Sequence, residues 1–202
     1  MIKTLTKYLS SGFFAGLMIT IGCTVYLSMQ PNWMGAVIFC VALLSICYLG
    51  LSLYTGKIGF IFDNANKDGV CDLLLGLLGN VAATLFFGWL VSVALPNLSN
   101  VAVAICKAKA SQTFAQTLIR AFFCGVLMYV AVAIFKQKNS PIGILFCIPA
   151  FILSGFEHSI ADVAYLAISN AYSWHMVGFL ATVLLGNSVG AIAAYWLNKL
   201  RA

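Results

Sequence analysis

Six apolar stretches follow one another along the chain, at about residues 10–29, 34–62, 72–95, 113–135, 141–168 and 173–198. A helix that crosses a bilayer needs roughly 20 apolar residues, and each stretch meets that length. Hydrophobic residues make up 62% of the sequence and charged residues only 8%, against about 25% charged in a soluble domain. So few polar groups cannot clothe a globule in water. The expectation is an all-α membrane protein, a single domain over residues 1–202, with its backbone hydrogen bonds satisfied inside helices.

The N-terminus, MIKTLTKYLSSGFFAGLMITIGC, places two lysines before an apolar run, as a signal peptide does. The run is too long for a typical signal core and no A-x-A site follows, so it reads as a retained first helix. An even number of helices puts both termini on one side. With the N-terminus inside, the cytoplasmic set is Lys3, Lys7, Lys57, Lys67, Lys136, Lys138, Lys199 and Arg201, and the outside holds mainly Lys107 and Lys109. That imbalance favours cytoplasmic termini in a multi-pass protein of the inner (plasma) membrane. The net charge of +6 is absorbed by this asymmetry and does not indicate nucleic-acid binding. The seven cysteines form no C-x-x-C and no Cys/His pair at ligand spacing. They read as small core residues, with no metal or cofactor implied.

Residues 77–90, LLGNVAATLFFGWL, are echoed by residues 184–197, LLGNSVGAIAAYWL. Phe13-Phe14-Ala15-Gly16 is echoed by Phe122-Phe123-Cys124-Gly125. The second and fifth stretches are each interrupted by a run that reads poorly as helix, GLSLYTGKIG at 50–59 and SGFEHSIAD at 154–162. The chain therefore reads as three helices duplicated, over about 1–98 and 110–202. Three is odd, so the copies enter the membrane in opposite directions, and an inverted repeat places its site where the broken helices meet. Each LLGN is expected to open the third helix of its half. Gly79/Asn80 and Gly186/Asn187 then serve as helix glue through close approach and backbone hydrogen bonds, with a pore-lining Asn as the second reading.

Five carboxylates occur. Asp63, Asp68 and Asp72 sit with Lys67 in IFDNANKDGVCD, which reads as a solvated loop. Glu157, His158 and Asp162 lie inside an apolar span, where ionisable groups default to functional hypotheses. Glu157 and Asp162 are expected to act as structural fasteners at the helix break. His158 is the functional candidate, since small changes of environment charge or discharge an imidazole. Thr55, in the first break, can hydrogen-bond an anion or the imidazole. His175 reads as interfacial.

At SGFEHSIAD the sequence resembles the formate/nitrite transporter family, and the resemblance runs over roughly residues 10–199. Gly-Phe-Glu-His-Ser-Ile-Ala (155–161) is the most specific motif. Leu53-Tyr54-Thr55 resembles the family's Leu-Phe-Thr loop, Gly79-Asn80 and Gly186-Asn187 its two Gly-Asn helix starts, and Lys109 with Thr113-Phe114 the segment before its fourth helix. The resemblance implies a homopentamer of six-helix, aquaporin-like protomers, each with its own pore lined by a central His and Thr between two apolar constrictions. Carried over, the pair is His158 and Thr55. The cytoplasmic constriction resembles Phe39, Leu43 and Phe151, and the outer one Leu53, Tyr54 and Met128. The sequence departs from the pattern in Tyr54 for Phe, Asp162 for Asn, Gly125 for an Asn in the fourth helix, and a missing N-terminal extension.

The implied activity is transport, not catalysis, of small weak-acid anions such as formate, nitrite or hydrosulfide across a lipid bilayer. Lys109 is expected to draw the anion into a vestibule, and His158 to give or share a proton so that a neutral acid crosses the apolar slit. A neutral-solute channel is the main rival. A membrane enzyme is disfavoured, because Glu157 and His158 are adjacent and point apart on a helix.

Overall fold

The computed structural model describes residues 2–201, and every regular element among them is helical. The elements are α1 (Ile2–Ser28), α2 (Met34–Ile38), α3 (Cys40–Tyr48), α4 (Tyr54–Lys57), α5 (Lys67–Ala94), α6 (Pro96–Ala110), α7 (Phe114–Lys138), α8 (Ile142–Leu153), α9 (Ser159–Ser169) and α10 (Trp174–Leu200), with a 3-10 turn at Ile58–Phe60 after α4. Helices α1, α5, α7 and α10 are long and apolar enough to cross a membrane. Their outward faces carry large apolar side chains such as Leu78, Phe86, Val93, Ile119, Phe123 and Leu185, as a lipid-facing surface requires. The seven cysteines are unpaired, five of them buried.

Helix starts are written locally. The Asn66 side chain accepts from the Gly69 N–H at 2.8 Å to open α5. Thr113 and Gln116 form a reciprocal capping box at α7, and Ser173 caps α10 through the Met176 N–H. Each side chain satisfies an orphan donor of the first turn. Because α5 and α10 begin at these caps, Asn80 and Asn187 fall at mid-helix and do not open their helices as expected. The region 96–110 lies between the expected apolar stretches. It is a fifteen-residue helix, with Pro96 in its first turn and Lys107 and Lys109 in its last, packed on α9.

The two interruptions are built alike. After α3, Gly50 takes φ +65°, and after α8, Gly155 takes φ +68°. The Leu51 N–H reaches Ile46 O and the Gly50 N–H reaches Cys47 O. The Phe156 N–H reaches Phe151 O and the Gly155 N–H reaches Ile152 O. These are paired Schellman endings, which need a left-handed residue that Gly supplies without strain. The chain then runs extended at Leu53 and at His158 before the next helix starts.

One asparagine holds each break. Asn80 Oδ1 accepts from the Tyr54 N–H at 2.9 Å, and its Nδ2 donates to Gly12 O and Ser52 O at 2.8 and 2.9 Å. Asn187 Oδ1 accepts from the Ser159 N–H at 2.8 Å, and its Nδ2 donates to Ala121 O and Glu157 O at 2.9 and 2.8 Å. Both asparagines are fully buried. Their bonds align Tyr54 with Ser159, and so Leu53 with His158.

Helices α1 and α5 pack along each other, as do α7 and α10. Close crossings go through glycine: a Cβ at Gly125 would lie 2.2 Å from Asn187 O. Gly125 is therefore a crossing glycine and not a vestibule position that has lost an Asn side chain. Its neighbour Cys124 is fully buried.

Two outcomes follow. Gly125→Ala should destabilise by about 1–3 kcal/mol through overpacking. Gly178→Ala, with nothing within 4 Å of the added carbon, should be neutral or stabilising by up to about 1 kcal/mol. Thermal unfolding of detergent-solubilised protein compares the two. Asn187→Ala should cost roughly 1–3 kcal/mol for each backbone group left unpaired. In hydrogen exchange it should raise the rate of the Ser159 amide more than those of mid-α9 amides.

Candidate functional site

His158 ends the second break and caps α9. Its Nδ1 accepts from the Ala161 N–H at 3.1 Å. A neutral ring that accepts at Nδ1 carries its hydrogen on Nε2. Nε2 lies 2.8 Å from Thr55 Oγ1, so the imidazole donates and the threonine accepts, leaving the hydroxyl hydrogen free to donate elsewhere. Both side chains are buried. Phe151 stacks on the imidazole with centroids 5.7 Å apart and planes 19° apart, and Phe39 meets Phe151 edge-on at 6.4 Å.

A cavity of about 220 Å³ opens on one side of this pair, lined by Phe39, Phe151 and His158 together with Lys109, Glu157 and Asp162. A second cavity, of about 170 Å³, is lined by Leu43, Leu53, Gly56, Lys57, Val132 and Lys136. The Thr55–His158 bond links the wall of the first to the loop that lines the second. The apolar residues are thus grouped differently from the expectation. Phe39 and Phe151 lie on the Lys109 side, while Leu43 and Leu53 lie on the Lys57 side. Tyr54 hydrogen-bonds Ser188 through its hydroxyl and packs among Tyr129, Ala191 and Tyr195. Met128 is buried in the main core cluster with Leu43, Leu53 and Phe151.

Lys109 is not a free cation. Its Nζ pairs with Glu157 Oε2 and, at 2.9 Å, with Asp162 Oδ1, and it sits over the Tyr165 ring. Gln112 Nε2 holds the other Glu157 oxygen at 2.6 Å. Gln112 and Arg120, both lining the cavity, were not anticipated. The legible signal for Gln112 was its place one helical turn after Lys109 and next to the Thr113 cap. His175 is exposed, its Nε2 2.9 Å from Ala110 O.

At the Lys57 end, Asp72 is no loop residue. It lies in α5, pairs with Lys57 and accepts from Ser52 Oγ at 2.5 Å. Lys57 also donates to Ser52 Oγ at 3.0 Å. Lys136 sits 4.0 Å over the Phe60 ring. Asp63, in the loop before α5, accepts from the Tyr195 hydroxyl at 2.7 Å, which holds its carboxyl below the usual range. Lys57, Lys136, Lys199 and Arg201 gather around the clefts at this end. The side chain of Lys3 lies outside the described residues. No group of three or more metal-ligating side chains occurs among the described residues.

The chain is similar to known proteins in sequence and in fold. The nitrite transporter NirC of Escherichia coli (strain K12) is 27% identical over 89% of this chain and 76% of its own length. The uncharacterized transporter YrhG of Bacillus subtilis (strain 168) is 26% identical over 92% of this chain and 81% of its own. Among solved structures, an FNT family ion channel superposes with TM-score 0.84 over 100% of this chain and 99% of that one, at 20% identity. A pentameric formate channel with formate bound gives 0.78 over 98% of each chain, also at 20%. These relatives are transporters and channels rather than enzymes. A family model described as formate/nitrite transporter matches residues 1–198, and the chain, a multi-pass membrane protein, belongs to that family.

Proposed function

We propose that the protein is a channel for small monovalent anions of weak acids, formate or nitrite first, in which His158 shares a proton with the passing anion. The observation that carries this reading is the buried 2.8 Å contact of His158 Nε2 with Thr55 Oγ1 between two lysine-lined cavities. A nitrite transporter and a formate channel among its relatives support the substrate class. Hydrosulfide is the alternative within the family, and an aquaporin-like neutral-solute channel the alternative outside it.

The protomer is read as six membrane crossings arranged as two inverted three-helix repeats. Matched Schellman endings and matched asparagine bonds at the two breaks support the repeat. A homopentamer follows the pentameric neighbour. Both termini are placed in the cytoplasm, with the Lys57 and Lys136 end facing inward, in the inner (plasma) membrane.

A bare anion faces a large desolvation penalty in an apolar slit. In the Lys109 cavity it meets cationic groups and the α9 N-terminus, whose dipole favours negative charge. Beyond Phe39 and Phe151 it reaches the imidazole Nε2–H and the Thr55 hydroxyl. Each can donate one hydrogen bond as the anion displaces their mutual contact. Sharing of the Nε2 proton spreads the negative charge over acid and ring. Full transfer requires a new proton on Nδ1, which releases the Ala161 cap. An anion of a strong acid cannot share a proton this way and is excluded.

Flux into proteoliposomes tests the assignment. His158→Ala and His158→Phe should abolish formate and nitrite flux or remove its pH dependence, and Thr55→Val should reduce it. Unchanged flux and pH profile in both His158 variants would sink the mechanism. Liposome swelling in glycerol or urea without anion flux would replace it with the neutral-solute reading.

A further inference from the structure

The cavity beside His158 carries a carboxylate that its fastener role does not explain. Lys109 pairs with two acids, Glu157 and Asp162. Glu157 is fully engaged, one oxygen on Lys109 and the other on Gln112. Asp162 is not. Its Oδ1 meets Lys109, while its Oδ2, in a residue 1% exposed, has no hydrogen-bond partner. One helical turn earlier on the same face, Ser159 Oγ is likewise buried and unpartnered. A buried ionised oxygen without a donor is strongly disfavoured, and a neutral carboxyl much less so.

The charges facing Asp162 can be counted. Lys109 on α6 and Arg120 on α7 line the cavity as cations, with Glu157 as the other anion and His158 as a neutral ring. Cys106 on α6, Cys124 on α7, Cys23 on α1 and Tyr165 on α9 also feel its charge, and Tyr26 of α1 lines the same space. With Asp162 ionised, two cations face two carboxylates and the cavity offers an anion no net attraction. With Asp162 protonated, one positive charge is unbalanced and Lys109 is free to turn an N–H toward a ligand.

We propose that Asp162 is the proton-linked selectivity element of this vestibule: it takes up a proton when a weak-acid anion binds and excludes the anion when ionised. The step is a protonation balanced by solvent, with one H⁺ from water bound at Oδ2 for each anion bound. Linkage then makes anion affinity fall as pH rises through the Asp162 titration. This rests on the channel reading above and adds to it a group distinct from the His158–Thr55 pair.

Two measurements test it. In the first, formate and nitrite flux is compared for wild type, Asp162→Asn and Asp162→Glu across acid to alkaline pH. The ratio of Asp162→Asn flux to wild-type flux should rise with pH, approaching about tenfold per pH unit once Asp162 is ionised. Asp162→Glu should keep the wild-type profile, showing that the variants assemble. A ratio that stays flat or falls overturns the proposal. The second is infrared difference spectroscopy of the purified protein, which needs no transport. A protonated-carboxyl stretch that grows on adding nitrite and is missing in Asp162→Asn is the expected result. Its absence from the wild type overturns the proposal. A wild type that carries neither formate nor nitrite but shows this band rejects the substrate reading and leaves Asp162 as the proton site.

Discussion

Two helices stop and restart inside an apolar shell, and every backbone group they free has to find a partner without water. Asn80 and Asn187 meet that demand. Each side chain joins the N–H that opens the new helix, the carbonyl of the extended segment before it, and a carbonyl of a neighbouring long helix. An amide with one acceptor and two donors is the smallest side chain able to do this. The Schellman turns finish the preceding helix, and the glycine crossings bring α5 against α1 and α10 against α7 closely enough for the amides to reach. This framework sets the backbone at His158, and the ring is then held by the Ala161 N–H, Thr55 and the Phe151 stack.

The framework also sorts charge. Beside each of the two cavities a lysine is held by carboxylate, Lys57 by Asp72 and Lys109 by Glu157 and Asp162. Held lysines lose less side-chain entropy on meeting a ligand, and their field is trimmed by the acids beside them. In the channel proposed above, the number of ionised carboxylates, more than the number of lysines, would set what the Lys109 cavity attracts.

Much of this was legible in the chain itself. Scarce charge and six long apolar runs implied membrane helices. The doubled LLGN and the two glycine-bearing interruptions implied a repeat with paired breaks. Thr55 and His158 were readable as a pair because each stood out chemically within its break. Helix boundaries were less legible. The doubled LLGN motif suggested helix starts at the asparagines, although the apolar stretches at 72–95 and 173–198 already run past them and the caps at Asn66 and Ser173 set the real starts. Helix α6 falls between the six apolar stretches because its fifteen residues are only mildly apolar. Gly125 was matched by counting along the chain, which cannot show that a side chain there would run into the backbone at Asn187. The split of the apolar residues between two cavities depends on how α3, α4 and α8 cross, and no local pattern encodes that.

The asparagine bonds place Leu53 and His158 at equivalent points of their breaks, yet they grip only backbone there. The hinge architecture is thus blind to what hangs from that residue. One break keeps a plain aliphatic group at that point while the other carries the imidazole, so two matched backbone hinges present different chemistry at the same place.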